Sequence, residues 1–424
     1  MPDPKYTLTQ VLHDKWWVGV VSFAVALVVT PVVRRIAYRY KIVDRPDDLL
    51  KPHGRPIAYL GGLAMCVGLL TGLAVYLGVM PEAAQYWDEL GTSLVDVNLG
   101  SIFLNPVWNL LFFAIAAVVI TVVGLLDDLC DLKPKAKVLG QVIAAGILLV
   151  GGIGLRTGIV LFSILTVAWK FFGATPPEWL LLPPMWLLAP ISVAVTVVLV
   201  IAACNATNLL DGLDGLCGGV TGIISLGFLA LATYLALYGW PGHEGYDALR
   251  MGITLAMAGA VFGFLPYNIP PASIFMGDAG SMLLGFFVAV MMALFCREHN
   301  PRWFMAACAV FALPILDTAL AVVRRLLARK SIFAGDRSHL YDQLVDRGMT
   351  VKQVVAMFYV LAILAALIGV LAAIFLRTRY AAILYVVLLI VIWTVFGWMG
   401  MIKPPPHPSK PHAGAPPDGE GGNP

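Results

Sequence analysis

Asn205-Ala206-Thr207-Asn208-Leu209-Leu210-Asp211-Gly212-Leu213-Asp214-Gly215-Leu216 joins two apolar stretches, 185–204 and 216–239, each long enough to cross a bilayer. A carboxylate near the centre of a membrane helix costs roughly 2.5–3.5 kcal/mol on insertion scales, so acids clustered at the edge of a span read as functional. Two further clusters, Asp127-Asp128-Leu129-Cys130-Asp131 and Gly277-Asp278-Ala279-Gly280-Ser281, flank other spans. Three acidic groups at one border need a cation to share.

Outward from that stretch, the rest of the chain is equally apolar. Its 424 residues are 60% hydrophobic and 12% charged, with a mean hydropathy of +0.86. A soluble domain carries roughly 25% charged residues. Eleven segments have spanning length: 17–38, 58–80, 107–126, 138–154, 185–204, 216–239, 251–267, 281–297, 303–325, 353–376 and 380–402. The expected fold is an all-α polytopic membrane protein, with residues 1–402 as one integral membrane domain. The first span opens on Trp16-Trp17 and lacks a cleavable signal pattern, so it reads as a retained helix. The tail 403–424, rich in Pro and Gly, has the composition of a disordered segment.

Orientation follows from the cations. Of the 28 lysines and arginines, 19 fall in 34–56, 127–137, 324–352 and the tail, which favours an outside N-terminus and an inside C-terminus. All three acidic clusters then lie on the cytoplasmic side. The long outer connection 155–184, with Gly158-Ile159-Val160-Leu161-Phe162 and its proline pairs, reads as a small β-hairpin, with a re-entrant helix as the alternative. The six cysteines show no zinc or CxxC spacing and read as packing residues. A net charge of +3 in a chain mostly in lipid gives no reason to expect a nucleic-acid partner.

Asp127 and Asp128 end a span, where a negative charge opposes the helix dipole, so a purely structural origin is unnatural for them. Asp131 follows at i, i+4 from Asp127 on the same helical face. Asn205, Asn208, Asp211 and Asp214 step by three, and the row drifts by roughly half a turn over its length. Either it spirals around one cavity, or Gly212 and Gly215 break the helix and turn the two carboxylates together. Both arrangements offer the oxygens that a hard cation takes. Asp278, in glycine-rich backbone entering a helix, reads as an N-cap or as the holder of magnesium on a phosphate. Arg337 and His339 in one inner loop, and Lys51, His53 and Arg55 in another, supply cations for a diphosphate. Asp317 lies inside the ninth span and is either a site residue or the partner of a basic group such as Arg324.

Together these motifs resemble the polyprenyl-phosphate N-acetylhexosamine-1-phosphate transferase family. The resemblance covers Asp44-Arg45-Pro46…His53…Pro56…Gly61-Gly62, Asp127-Asp128, Asn205–Leu216, Asn268 with Phe275–Ser281, Pro314–Thr318 and Asp336-Arg337-Ser338-His339. It implies transfer of a sugar 1-phosphate, most simply GlcNAc-1-phosphate, from a UDP-N-acetylhexosamine to undecaprenyl phosphate in the bilayer. UMP leaves, and a lipid-linked sugar pyrophosphate starts an envelope glycan. By the same resemblance Asp278 and Asn208 hold Mg2+, with Mn2+ as a substitute. Asp127 or Asp128 acts on the lipid phosphate as base, organiser or nucleophile, and Asp211 and Asp214 assist with nucleotide or metal. Phe275 stacks on uracil beside Asn268, and His339 and Arg337 contact diphosphate or sugar. A homodimer is compatible with this reading. The chain departs from the family where a histidine cluster is common: His339 is followed by Leu340-Tyr341-Asp342. The alternatives are phospho-MurNAc-pentapeptide transfer and, from another class, a cation-coupled transporter, which would string its ionisable groups between the two faces.

Overall fold

In hydrocarbon each backbone N–H and C=O must be paired within its own segment, so uncharged apolar runs become helices. A computed structural model describes residues 4–12, 15–44, 56–79, 81–238, 244–296, 300–329 and 339–402. Lys51, His53, Arg55, Arg337 and the tail from 403 lie outside the described residues. The principal helices are α1 (Trp16–Arg39), α2 (Gly61–Val79), α3 (Pro106–Cys130), α4 (Pro134–Val150), α5 (Met185–Leu210), α6 (Leu216–Tyr238) and α7 (Glu244–Phe264). They continue as α8 (Gly277–Phe295), α9 (Pro301–Val310), α10 (Ala312–Leu327), α11 (Leu340–Asp346), α12 (Val351–Phe375) and α13 (Thr378–Trp398).

Among the described residues, nine helices are long and apolar enough to cross a membrane, or ten when α9 and α10 count as one broken span. The eleven expected spans come down to this number because α4, with 17 residues, is about 26 Å long and falls at the lower limit. The ninth expected span is bent by 73° between α9 and α10. Pro314 explains the break: it has no N–H to give the Val310 carbonyl, and its ring crowds that carbonyl. The span expected at 251–267 starts earlier, at Glu244, because Arg250 is accommodated inside α7 by an ion pair with Asp247 at 2.9 Å.

The expected hairpin in 155–184 is absent. That segment forms helices Ile159–Phe171 and Glu178–Leu181, the first 13 residues long. Its apolar residues make a helical face on which Ile159 and Phe162 pack with Leu180 and Leu188, and periodicity in a short apolar run does not separate strand from helix. The described strands lie elsewhere: β1 (Val43–Asp44) pairs antiparallel with β2 (Ile57–Ala58).

The helix α8 is the axis of the bundle. Of its spanning window 94% is buried, against 11% for α13 at the periphery. It packs against α2, α3 and α5, while α7 packs on α1, α2 and α6. Successive helices reverse direction, so the ends of α3 and α5 and the starts of α4, α6 and α8 meet at one pole. There β2 is bridged in parallel to Ile274, Phe275 donates its N–H to the Ala58 carbonyl at 2.8 Å, and Gly61 donates to the Phe275 carbonyl at 2.9 Å. These bonds tie the chain before α2 to the start of α8.

Candidate active site

The site forms where the first turn of α8 meets the last turns of α3 and α5. Gly277 takes φ +67, a left-handed conformation that glycine adopts without penalty, and the Asp128 carboxylate lies where a Cβ would be. That carboxylate accepts the N–H of Asp278 at 2.8 Å and of Ala279 at 3.2 Å. Asp128 therefore sits on the N-terminal dipole of α8, although it belongs to the C-terminal end of α3. The unpaired amides of a helix start favour an anion, which resolves why an acid ends α3. Gly124, one turn earlier, lets α3 approach this closely: a Cβ there would overlap the backbone of Asp278 and Ala279.

Asp127 has other partners. Its Oδ1 accepts from the Leu132 N–H at 2.8 Å, closing the turn after α3, and its Oδ2 pairs with Lys137 Nζ. Lys137, on the first turn of α4, also pairs with Asp278 Oδ2 at 2.9 Å. One ammonium thus bridges carboxylates from two helices. Asn208, on the last turn of α5, donates from Nδ2 to Asp278 Oδ1 at 2.8 Å and to Ser281 Oγ at 3.0 Å. Asp131 does not share the face of Asp127. It is an exposed left-handed cap with φ 50.

The row of residues spaced by three is divided by the end of α5 at Leu210. Asn205 turns to Gln141 on α4, at 3.2 Å. Asp214 Oδ2 accepts the Ala272 N–H at 2.8 Å and fastens the segment before α8. The Asp211 carboxylate has no hydrogen bond among the described residues. Burial, and then the charges of Asp278, Asp128 and Asp214, hold its carboxyl well above the usual carboxylate range. The helix ends at Leu210, ahead of Gly212, so the row does not spiral on as one helix, and Asp214 is bound apart from Asp211 at the Ala272 amide.

Asn268 is buried at 2% exposure, and both ends of its amide serve backbone. It accepts from the Gly215 N–H at 3.1 Å and donates to the Ile274 carbonyl at 3.0 Å. Its place in the site is that of a brace. Phe275 is half-buried, its ring 5.9 Å from that of Tyr59. His339, at the start of α11, is buried, with Nδ1 2.9 Å from Asp317 Oδ2. The other Asp317 oxygen accepts the Leu340 N–H at 2.6 Å. Arg324 donates instead to the Met401 carbonyl at 3.2 Å. Asp317 therefore pairs with the histidine that the sequence placed on the substrate.

Lys137 is the residue that sequence reading passed over. It stood as one of three lysines after the acidic pair, and the signal was Pro134, which starts α4 and sets Lys137 one turn in. Magnesium fits the donors gathered here. Asp127 and Asp278 supply carboxylate oxygens close enough to share one ammonium, and Asn208 Oδ1 accepts no hydrogen bond among the described residues. Among the described residues no group of three or more His, Cys, Asp or Glu could hold a metal by itself. One or two carboxylates completed by substrate phosphate oxygens is the usual arrangement for this ion.

Fold and site define an integral-membrane enzyme of the glycosyl-1-phosphate transferase class. Residues 110–296 match the family model described as glycosyl transferase family 4. A Bacillus subtilis probable undecaprenyl-phosphate N-acetylglucosaminyl 1-phosphate transferase is 27% identical over 81% of this chain and 80% of its own. A decaprenyl-phosphate N-acetylglucosaminephosphotransferase of Mycobacterium tuberculosis is 29% identical over 82% of this chain and 80% of its own. The undecaprenyl-phosphate alpha-N-acetylglucosaminyl 1-phosphate transferase of Escherichia coli K12 is 27% identical over 80% of this chain and 78% of its own. Over about four-fifths of its length the chain is thus similar to polyprenyl-phosphate N-acetylglucosamine-1-phosphate transferases.

Proposed function

We propose that this enzyme transfers N-acetylglucosamine 1-phosphate from UDP-N-acetylglucosamine to undecaprenyl phosphate at the cytoplasmic face of a bacterial inner membrane. The observation that carries the reading is the convergence of Asp127, Asp278, Asn208 and Lys137, from four helices, at one pole of the bundle. Two polyanions meet only where positive charge is supplied, and one lives in lipid while the other is soluble, so a site at the membrane border suits both.

In the reaction, an oxygen of the lipid phosphate bonds to the sugar-bearing phosphorus. The bond from that phosphorus to the bridging oxygen breaks, and UMP leaves with the electron pair. Asp278, Asp127 and Asn208 would hold Mg2+, for which Mn2+ could substitute, and the ion would supply positive charge to the diphosphate and the leaving group. Asp211, without a hydrogen-bond partner for its carboxylate among the described residues, takes the proton of the lipid phosphate. Lys137 adds positive charge at the phosphates. Asp128 and Asp214 hold the backbone that carries the ligands. Phe275 offers its ring to uracil, and the sequence assigns His339, Arg337, Lys51, His53 and Arg55 to diphosphate and sugar.

The test incubates the full chain with radiolabelled UDP-N-acetylglucosamine, undecaprenyl phosphate and Mg2+. Lipid-soluble label and stoichiometric UMP are expected. Absence of lipid-soluble label with any UDP-N-acetylhexosamine overturns the transferase reading. Label only from another UDP-sugar corrects the donor.

A further inference from the structure

Tyr341 follows His339 by two residues, and the structure gives that side chain a definite place. Its hydroxyl donates to the Leu209 carbonyl at 3.1 Å, in the last turn of α5. Its ring covers Gly212, where a Cβ would overlap the phenol. Leu209 and Gly212 bracket Asp211, so the ring and hydroxyl grip the turn carrying the one site carboxylate that has no hydrogen bond of its own among the described residues. On its other side the ring stacks on His339, with centroids 5.6 Å apart and planes 10° apart. His339 is itself held by Asp317. At the far end of the same turn, Tyr359 donates to the Gly215 carbonyl at 2.6 Å.

We infer that Tyr341 is a positioning residue of the transferase site: it locks the Asp211 turn to the His339 segment, so that the base and the histidine held by Asp317 keep one geometry. The inference rests on the transferase reading above. It assigns Tyr341 no contact with substrate. A carboxylate fixed only through its backbone depends on what packs on that backbone, and a displacement of about 1 Å in a reacting group can cost on the order of 10²-fold in rate. Gly212 belongs to the same device, since a methyl there would push the ring off the turn.

The experiment uses the full chain in nanodiscs with UDP-N-acetylglucosamine, undecaprenyl phosphate and Mg2+, measuring kcat and KM for each substrate. The wild type is assayed first. A wild type that makes no lipid-linked product fails the transferase reading itself, before any variant is compared. With an active wild type, Tyr341→Phe should lower kcat about tenfold, with KM for the UDP-sugar within about twofold of wild type. Gly212→Ala should shift kcat the same way without changing KM. Tyr385→Phe removes a hydroxyl bonded to the Gly369 carbonyl, remote from the site, and should leave both constants unchanged. Full kcat in Tyr341→Phe or Gly212→Ala overturns the assignment. So does a raised KM at unchanged kcat, which would make Tyr341 a substrate contact.

Discussion

Lys137 holds two carboxylates that would otherwise repel, and it does so where a divalent ion is proposed to bind. Removing the ammonium leaves Asp127 and Asp278 facing each other uncompensated. Lys137→Gln should therefore lower the melting temperature by several degrees in chelator, and Mg2+ should restore most of the loss. An equal melting temperature for wild type and variant in chelator would refute this account of the bridge. Asp278→Asn should reduce turnover at least about 10²-fold while the protein still inserts, since the ion loses its central ligand. Unimpaired turnover removes Asp278 from the site. Asp211 gives a pH prediction of definite sign. Its carboxyl is raised in the folded state, so folded protein holds more protons than unfolded protein between the ordinary carboxylate range and the raised value. Stability attributable to Asp211 thus falls as pH rises through that window. Asp211→Asn should flatten the decline in melting temperature as pH rises above the ordinary carboxylate range, and a parallel decline in both proteins would contradict it. Catalysis runs the opposite way, with kcat falling as pH drops and the base becomes protonated. The sequence showed these acids to be out of place in a membrane, but not which held what. Asp128 looks like its neighbour Asp127 in the chain, yet their carboxylates serve different helices, and only the packing of α3 on α8 tells them apart.

At the scale of the element, α8 has both of its ends compensated. Asp128 supplies an anion to its first amides, and Arg250, fully buried on α7, donates to the Leu294 carbonyl at 2.8 Å in its last turn. The guanidinium also lies over the Phe295 ring, 5.4 Å from its centroid. Opposite charges at the two ends complement the helix dipole, and in a buried helix water cannot do that work. Arg250→Met should cost roughly 3–5 kcal/mol of stability, because it breaks the buried Arg250–Asp247 pair. Since α8 loses support at the end away from Asp278, kcat per folded molecule should stay near wild type. Thermal unfolding in detergent together with active-fraction kinetics checks both halves, and an unshifted unfolding temperature refutes the clamp. Most long helices were legible because spans need only length and apolarity. The segment 159–171 was not: a 13-residue apolar run suits a strand or a helix equally until Leu180 and Leu188 provide the face it packs on. Arg250 was misplaced for a related reason, since a charge reads as a boundary unless its buried partner is known.

For the whole molecule, alternation of the helices puts the acidic pole and the connection between α12 and α13 at opposite ends. The excess of lysine and arginine around the acidic pole is the ground for proposing that this pole faces the cytoplasm. That assignment matters to the proposed chemistry because nucleotide sugars are made inside the cell. Composition could supply orientation because insertion reads charge, whereas it could not supply the meeting of three distant segments, which depends on α8 threading the centre. Two cysteine positions test the result. Cys130 is exposed at the end of α3, beside the site, while Cys66, Cys204, Cys217 and Cys296 are buried. A membrane-impermeant maleimide should leave Cys130 unmodified in intact cells and label it after permeabilisation, with Cys130→Ser abolishing the signal. In the Cys130→Ser background, an added cysteine in Arg377→Cys, between α12 and α13, should label in intact cells. Reversal of both patterns would turn the acidic pole outward, away from any cytoplasmic nucleotide sugar, and the proposed donor would then have to be abandoned.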